Sequence, residues 1–156
     1  MFNVTQYGKI LDAYKYRWNE ETKTFSTNEG NLVLDFSGYY GVTFKTGSNC
    51  TFFTGSYCTF HTGSDCTFHT GDSCAFNTGS DCTFKTGYNC TFKTGKNCFG
   101  IRYDVKGVTE FPENATVKYN ENTVFGHTVV KDNTCNIEGK IVEIEGKKYK
   151  MIEIKD

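Results

Sequence analysis

The sequence predicts an all-β chain wound as a two-sided β-solenoid, with eight-residue rungs and about sixteen residues per coil. Three observations predict it. From Phe44 to Cys98 one octapeptide recurs without insertion, as FKTGSNCT, FFTGSYCT, FHTGSDCT, FHTGDSCA, FNTGSDCT, FKTGYNCT and FKTGKNC. Each copy alternates apolar and polar residues across Cys-Thr-Phe-x, the pattern of a half-buried strand. The composition, with 1 proline, 16 glycines, 14 phenylalanines and 10 tyrosines, suits strands and tight turns and not helices.

Residues 1–32 read as an N-terminal cap. Tyr14, Tyr16 and Trp18 alternate ahead of a turn-like NEETK and then KTF, which predicts a short β-hairpin over the first coil. Residues 33–99 read as the solenoid. Val42 and Leu34 stand eight and sixteen residues before Cys50, and Phe36 stands eight before Phe44. LVLDFSGYYGVTFKTG is therefore expected to supply two rungs without cysteine. Cysteine slots from Leu34 to Cys98 would make roughly four and a half coils, about 22 Å long.

In each unit Thr-Gly marks the corner, glycine is expected to supply a positive φ there, and the next two residues stabilise the turn. Cys and Phe point inward, Thr and the x residue outward. Three units per coil, or three chains wound together, are the competing geometries. Residues 100–156 read as antiparallel strands (IRYDV, ATVKY, TVFGHTVV and KIVEIEGKKYKMIEI), the last with a hairpin turn at Glu145-Gly146.

The charge balance, 17 basic against 18 acidic residues, offers no grip on nucleic acid. No apolar run approaches the roughly 18 residues of a membrane span. The N-terminus lacks a basic start followed by an apolar core, so no signal peptide is expected. The expected location is the host cytoplasm, or a virion. A reducing compartment turns eight cysteines from a disulfide framework into something else.

That something is packing. The ladder cysteines fall only at intervals of eight, never as C-x2-C, so no metal site is expected among them. A slot shared by Leu, Val and Cys wants modest apolar volume. His61 and His69 are expected on opposite outer faces, too far apart for one metal with bonds of about 2 Å. Asp65, Asp72 and Asp81 fall at corners and read as turn-capping residues; calcium-binding β-rolls use a period of nine with paired glycines. Insect antifreeze proteins also stack Thr and Cys on small solenoids. Here each sheet would show one outward rank of Thr flanked by Lys, His, Asn and Phe, which spoils a flat lattice match, so ice binding is the least favoured reading. No P-loop, nucleophile elbow or zincin helix occurs, so neither catalysis nor a cofactor is expected.

The block TGSDCTFKTG, with NLVLDFSG before it and KNC and a PEN-containing β segment after it, resembles octapeptide-repeat proteins of tailed phages and some bacteria. The resemblance covers about residues 31–115 and implies a phage source and a β-solenoid. It carries over no catalytic or binding residues. The expected function is therefore that of a non-enzymatic structural or self-associating solenoid presenting Phe53, Tyr57, His61, His69, Lys85 and Lys93, partnered by itself or by a host or virion protein. The alternative is a binding module that inhibits or sequesters a host defence component or a small ligand.

Overall fold

The computed structural model describes residues 1–113, 115–120, 126–131, 141–144 and 147–150. The strands in chain order are β1 (Asn3–Gln6), β2 (Lys9–Ile10), β3 (Arg17–Asn19), β4 (Thr24–Ser26), β5 (Leu32–Phe36), β6 (Thr43–Lys45), β7 (Thr51–Thr54), β8 (Thr59–His61) and β9 (Thr67–His69). They continue as β10 (Ala75–Asn77), β11 (Thr83–Thr86), β12 (Thr91–Lys93), β13 (Cys98–Arg102), β14 (Thr109–Phe111), β15 (Ala115–Tyr119), β16 (His127–Lys131), β17 (Ile141–Ile144) and β18 (Lys147–Lys150). Among the described residues a single 3-10 turn, Ala13–Lys15, interrupts the β structure.

Successive strands alternate between two sheets. Sheet A runs β14-β13-β11-β9-β7-β5-β1-β2, and sheet B runs β16-β15-β12-β10-β8-β6-β4-β3. Two strands make one coil of a two-sided β-solenoid with about 5 turns. Within the octapeptide block each strand residue pairs in parallel with its equivalent sixteen positions on, as Thr51 does with Thr67 and Phe60 with Phe76.

Alternation puts Cys and Phe in the core, where all seven ladder cysteines and all seven repeat phenylalanines are buried. Rings one coil apart stack face to face, Phe52 on Phe68 at 5.0 Å and Phe60 on Phe76 at 4.9 Å. Rings on opposite sheets meet edge to face, as Phe60 and Phe68 do at 5.1 Å and 75°. Both arrangements suit the aromatic quadrupole, and stacking at the rung spacing wastes no volume. The corner threonines continue the inward phase. Thr54, Thr70, Thr78, Thr86 and Thr94 are buried, and the Thr86 hydroxyl donates to the Gly87 carbonyl at 3.2 Å.

The corners correct the expected role of glycine. The left-handed residue is the one before each cysteine: Asn49, Tyr57, Asp65, Ser73, Asp81, Asn89 and Asn97, with φ from 55° to 63°. Asn and Asp tolerate that conformation best among residues with a Cβ. The repeat glycine is needed for space instead. A Cβ on Gly79 would lie 2.8 Å from the Ser64 amide nitrogen and closer still to its hydroxyl. That hydroxyl is itself occupied. Ser64 accepts from the Ser80 amide at 3.0 Å, Ser48 from Ser64 at 3.1 Å and Ser56 from Asp72 at 3.0 Å, so a ladder of side chains holds each corner to the next.

The register corrects the first rungs. Leu34 does not occupy a cysteine slot. It pairs with Phe52, while Phe36 pairs with Thr54 and Leu32 falls in line with Cys50. The corner after β5 holds two residues more than the later ones, which shifts the count by two. Val42 does lie in a cysteine slot, because Thr43 pairs with Thr59. Parallel stacking also begins earlier than residue 33, since Phe25 on β4 pairs with Phe44. The expected hairpin over the first coil is β3 with β4, joined across NEETK, and β1 with β2 closes sheet A in the same way.

At the other end the stack runs one rung past the octapeptide. β13 pairs in parallel with β11 and places Gly100 in the slot of Phe84. The missing ring is supplied from further along the chain. Phe111 on β14 packs 5.6 Å from Phe84, and a Cβ on Gly100 would run into Phe111 and the Tyr119 hydroxyl. β14, β15 and β16 then add in antiparallel fashion. The buried Arg102 guanidinium ties this cap together. It donates to Asp104 at 2.5 and 2.7 Å, to the Gly126 carbonyl at 2.9 Å and to the Asn120 carbonyl. β17 pairs with β18 antiparallel, Ile144 opposite Lys147; the expected turn at Glu145-Gly146 lies outside the described residues, as does Cys135.

Candidate functional site

The six residues expected to act together fall in three places. Phe53, His69 and Lys85 form one outward row on sheet A, in register from Asp35 to Ile101. The Phe53 ring stacks on His69 at 5.0 Å, and the Lys85 ammonium lies 5.5 Å from the centre of the Tyr103 ring. His61 and Lys93 lie on the opposite face, in the sheet B row. Tyr57 belongs to neither face. It sits at a corner, exposed, with φ of 63°.

The two outer faces differ in chemistry. Val33, Phe53, Phe99 and Ile101 are exposed on sheet A, with Tyr103 just beyond the end of β13. The sheet B row reads Arg17, Ser26, Lys45, His61, Asn77, Lys93, Thr116, and the row beside it is mostly threonine up to Lys118. These two sheet B rows hold four cations and no carboxylate.

The cysteine ladder is an interior feature. All seven thiols are free, and each donates to a carbonyl two residues upstream, Cys66 to Ser64 at 3.4 Å for example. The thiol one coil away is the leading influence on each proton. It holds Cys50 down to about 7 and Cys90 below the usual range. It pushes Cys58, Cys66, Cys82 and Cys98 up, and burial adds to the rise. At Cys74 the Cys58 thiol pulls the other way, but Cys90 and burial outweigh it and the value rises to about 12. Among the described residues no group of three or more His, Cys, Asp or Glu side chains is placed to hold a metal.

Sequence reasoning passed over a cleft of about 730 Å³ at the N-terminal corner of sheet B. Its outer wall is the 3-10 turn and the start of β3, carrying Tyr14, Lys15 and Arg17; its inner wall is Lys45, Thr46 and His61. Two hydrogen bonds and one ring stack fix the walls. The Thr27 hydroxyl donates to the Lys15 carbonyl at 2.7 Å, the Glu29 amide donates back to Thr27 at 3.1 Å, and the Tyr16 ring stacks on buried Phe25 at 5.2 Å. The alternation YKYR was the available signal. It could not reveal that Arg17 lines up with Lys45, because the register passes through a hairpin and a rung offset of nineteen residues. No family model, curated protein or solved structure matches the chain.

Proposed function

We propose that this chain is a non-enzymatic solenoid, of phage origin by its repeat wording, that associates with itself through the outer face of sheet A. The observation that carries the reading is the exposure of Val33, Phe53, Phe99 and Ile101, with Tyr103, on one side of a rod whose other side is mostly polar and cationic, with Val130 exposed at its last described strand. Those on sheet A fall in two clusters, Val33 with Phe53 and Phe99 with Ile101, separated by Thr67, His69, Thr83 and Lys85 on the strands between, and exposed apolar clusters mark interaction sites. Sideways association is favoured over stacking end to end. Three of the four terminal strands, β2, β3 and β14, have only two or three residues each, and only β16, with five, presents a longer edge. Five rungs at about 4.8 Å, crossed by strands about 13 Å long, give the whole outer face, its polar residues included, about 300 Å² in projection.

Sedimentation velocity on the full chain tests this. A discrete oligomer is expected, and Phe53→Lys or Ile101→Lys should return it to the monomer with unchanged circular dichroism. A wild-type protein that stays monomeric at high micromolar concentration refutes the reading. The cleft beside β3 favours a second reading, a module that binds a small ligand.

A further inference from the structure

We infer that the cleft between the 3-10 turn and sheet B binds a small phosphate-bearing ligand of nucleotide size. The inference rests on the second reading, the small-ligand module, and is independent of self-association through sheet A.

Register carries the argument. Arg17 pairs with Ser26, Ser26 with Lys45, and Lys45 with His61. Four strands therefore project one outward row, with neighbours about 4.8 Å apart and the two full charges about 9.6 Å apart. The hydroxyl of Ser26 lies between those charges. Long, flexible Arg and Lys side chains rooted at that separation converge on an anion with several phosphate groups, each charge meeting a different oxygen.

The surroundings offer these cations no other role. Arg17 and Lys45 make no ion pair among the described residues. Lys15 does lie 3.9 Å from Glu29, but that carboxylate stands outside the lining and is also held by Gln6 at 3.0 Å. No carboxylate lines the cleft. Like charges without a partner in one row repel one another, and a bound anion would relieve that repulsion.

Size and shape narrow the ligand. About 730 Å³ falls within the range of small-molecule sites. The overall charge of -1 gives the chain no field to hold a long polyanion, and the wall of Tyr14 and Lys15 encloses one end of the row. Tyr14 is 84 % exposed at the rim, where its ring is free to lie against a planar base. Tyr16, by contrast, is committed to Phe25 and anchors the wall.

Isothermal titration of the full chain with ATP tests the assignment, with tripolyphosphate and adenosine as separate probes. ATP is expected to bind more tightly than tripolyphosphate, and adenosine not at all. Arg17→Ala and Lys45→Ala should each weaken ATP about tenfold, raised salt should weaken it further, and Lys85→Ala on the opposite face should leave it unchanged. All three positions are exposed, and circular dichroism of each variant checks that it folds. Absence of ATP binding overturns the inference, as does equal binding by the Arg17 and Lys45 variants or equal weakening by Lys85→Ala. Tripolyphosphate binding as tightly as ATP overturns the nucleotide assignment. Phe53→Lys should bind ATP normally, so failure here and failure of self-association are read separately.

Discussion

The inner surfaces of the two sheets are the same and their outer surfaces are not. Sheet A and sheet B both present Cys, Phe and Thr inward at every repeat rung, with the same ring stacking at 4.9–5.0 Å. Outward, sheet A carries Val33, Phe53, Phe99 and Ile101, while sheet B carries Arg17, Lys45, Lys93 and Lys118. The interior has one solution because both sheets fill the same gap of about 10 Å. The exterior faces water, where a substitution costs little, so the difference between faces is where a role can be written.

The largest effects should therefore be indifferent to the sheet. Cys66→Asp places an unpaired charge among stacked rings and should abolish the cooperative urea transition. Lys45→Asp, on the outside of the neighbouring sheet, should leave the midpoint within about 0.5 kcal/mol of wild type. Next come Phe60→Ala on sheet B and Phe68→Ala on sheet A. Each removes a fully buried ring flanked by others and should cost about 3–5 kcal/mol. The two losses should match. A large mismatch would show that one sheet carries the stack and that the interior symmetry is only geometric.

The ladder also makes a prediction about pH. Cys74 rises from 9.0 to about 12, and Cys58, Cys66, Cys82 and Cys98 are raised with it. Burial likewise lifts Tyr119 to about 12. Between those limits the unfolded chain has lost protons that the folded chain keeps, so stability is full below about pH 9 and falls as pH rises toward 12. Cys50, held down to about 7, acts below that window, adding stability between about pH 7 and 9, and Cys90 is shifted in the same direction. Urea midpoints of the reduced protein should decline steadily across that window. A flat profile would mean that the thiols are less enclosed than the sheets imply.

What could be read ahead of the structure follows the same division. The two-sided stack was legible because an exact period and strict alternation leave few ways to bury Phe on every rung. Leu34 was misplaced because counting by eight assumes equal corners, and the corner after β5 is two residues longer. The rung at β13 was hidden because Gly100 stands where a phenylalanine was the marker, its volume returned by Phe111 from β14. Glycine recurs at each corner, but recurrence alone does not distinguish a left-handed backbone from a place without room for a Cβ. Of the candidate site, the outward phase of Phe53, His61, His69, Lys85 and Lys93 was legible and their division between faces followed from it. The cleft was not, since it depends on cross-strand register between Arg17 and Lys45.

Smaller effects test whether the thiol matters as a thiol. Cys66→Val keeps the volume and loses one weak bond from sulfur to the Ser64 carbonyl at 3.4 Å. It should cost less than about 1.5 kcal/mol, and the folded protein should keep its ring stacking and assembly state. A loss comparable to that of Cys66→Asp would give the ladder a chemical role that packing does not supply.

The last effect should be a gain. At the left-handed corner position five of seven units use Asn or Asp, but Tyr57 stands there with φ of 63° and its ring exposed. A bulky residue pays about 1–2 kcal/mol for that backbone, and Asn recovers part of it. Tyr57→Asn should therefore raise the urea midpoint, by about 0.5–1 kcal/mol of stability. Strain held at an exposed aromatic residue is the pattern of a position kept for contact and not for folding. The sedimentation of Tyr57→Asn distinguishes the two. If the variant is more stable and still associates, the corner is idle and the apolar face of sheet A acts alone. If it is more stable and monomeric, the interface wraps from that face around the corner, and the strain at Tyr57 is the cost of reaching the partner.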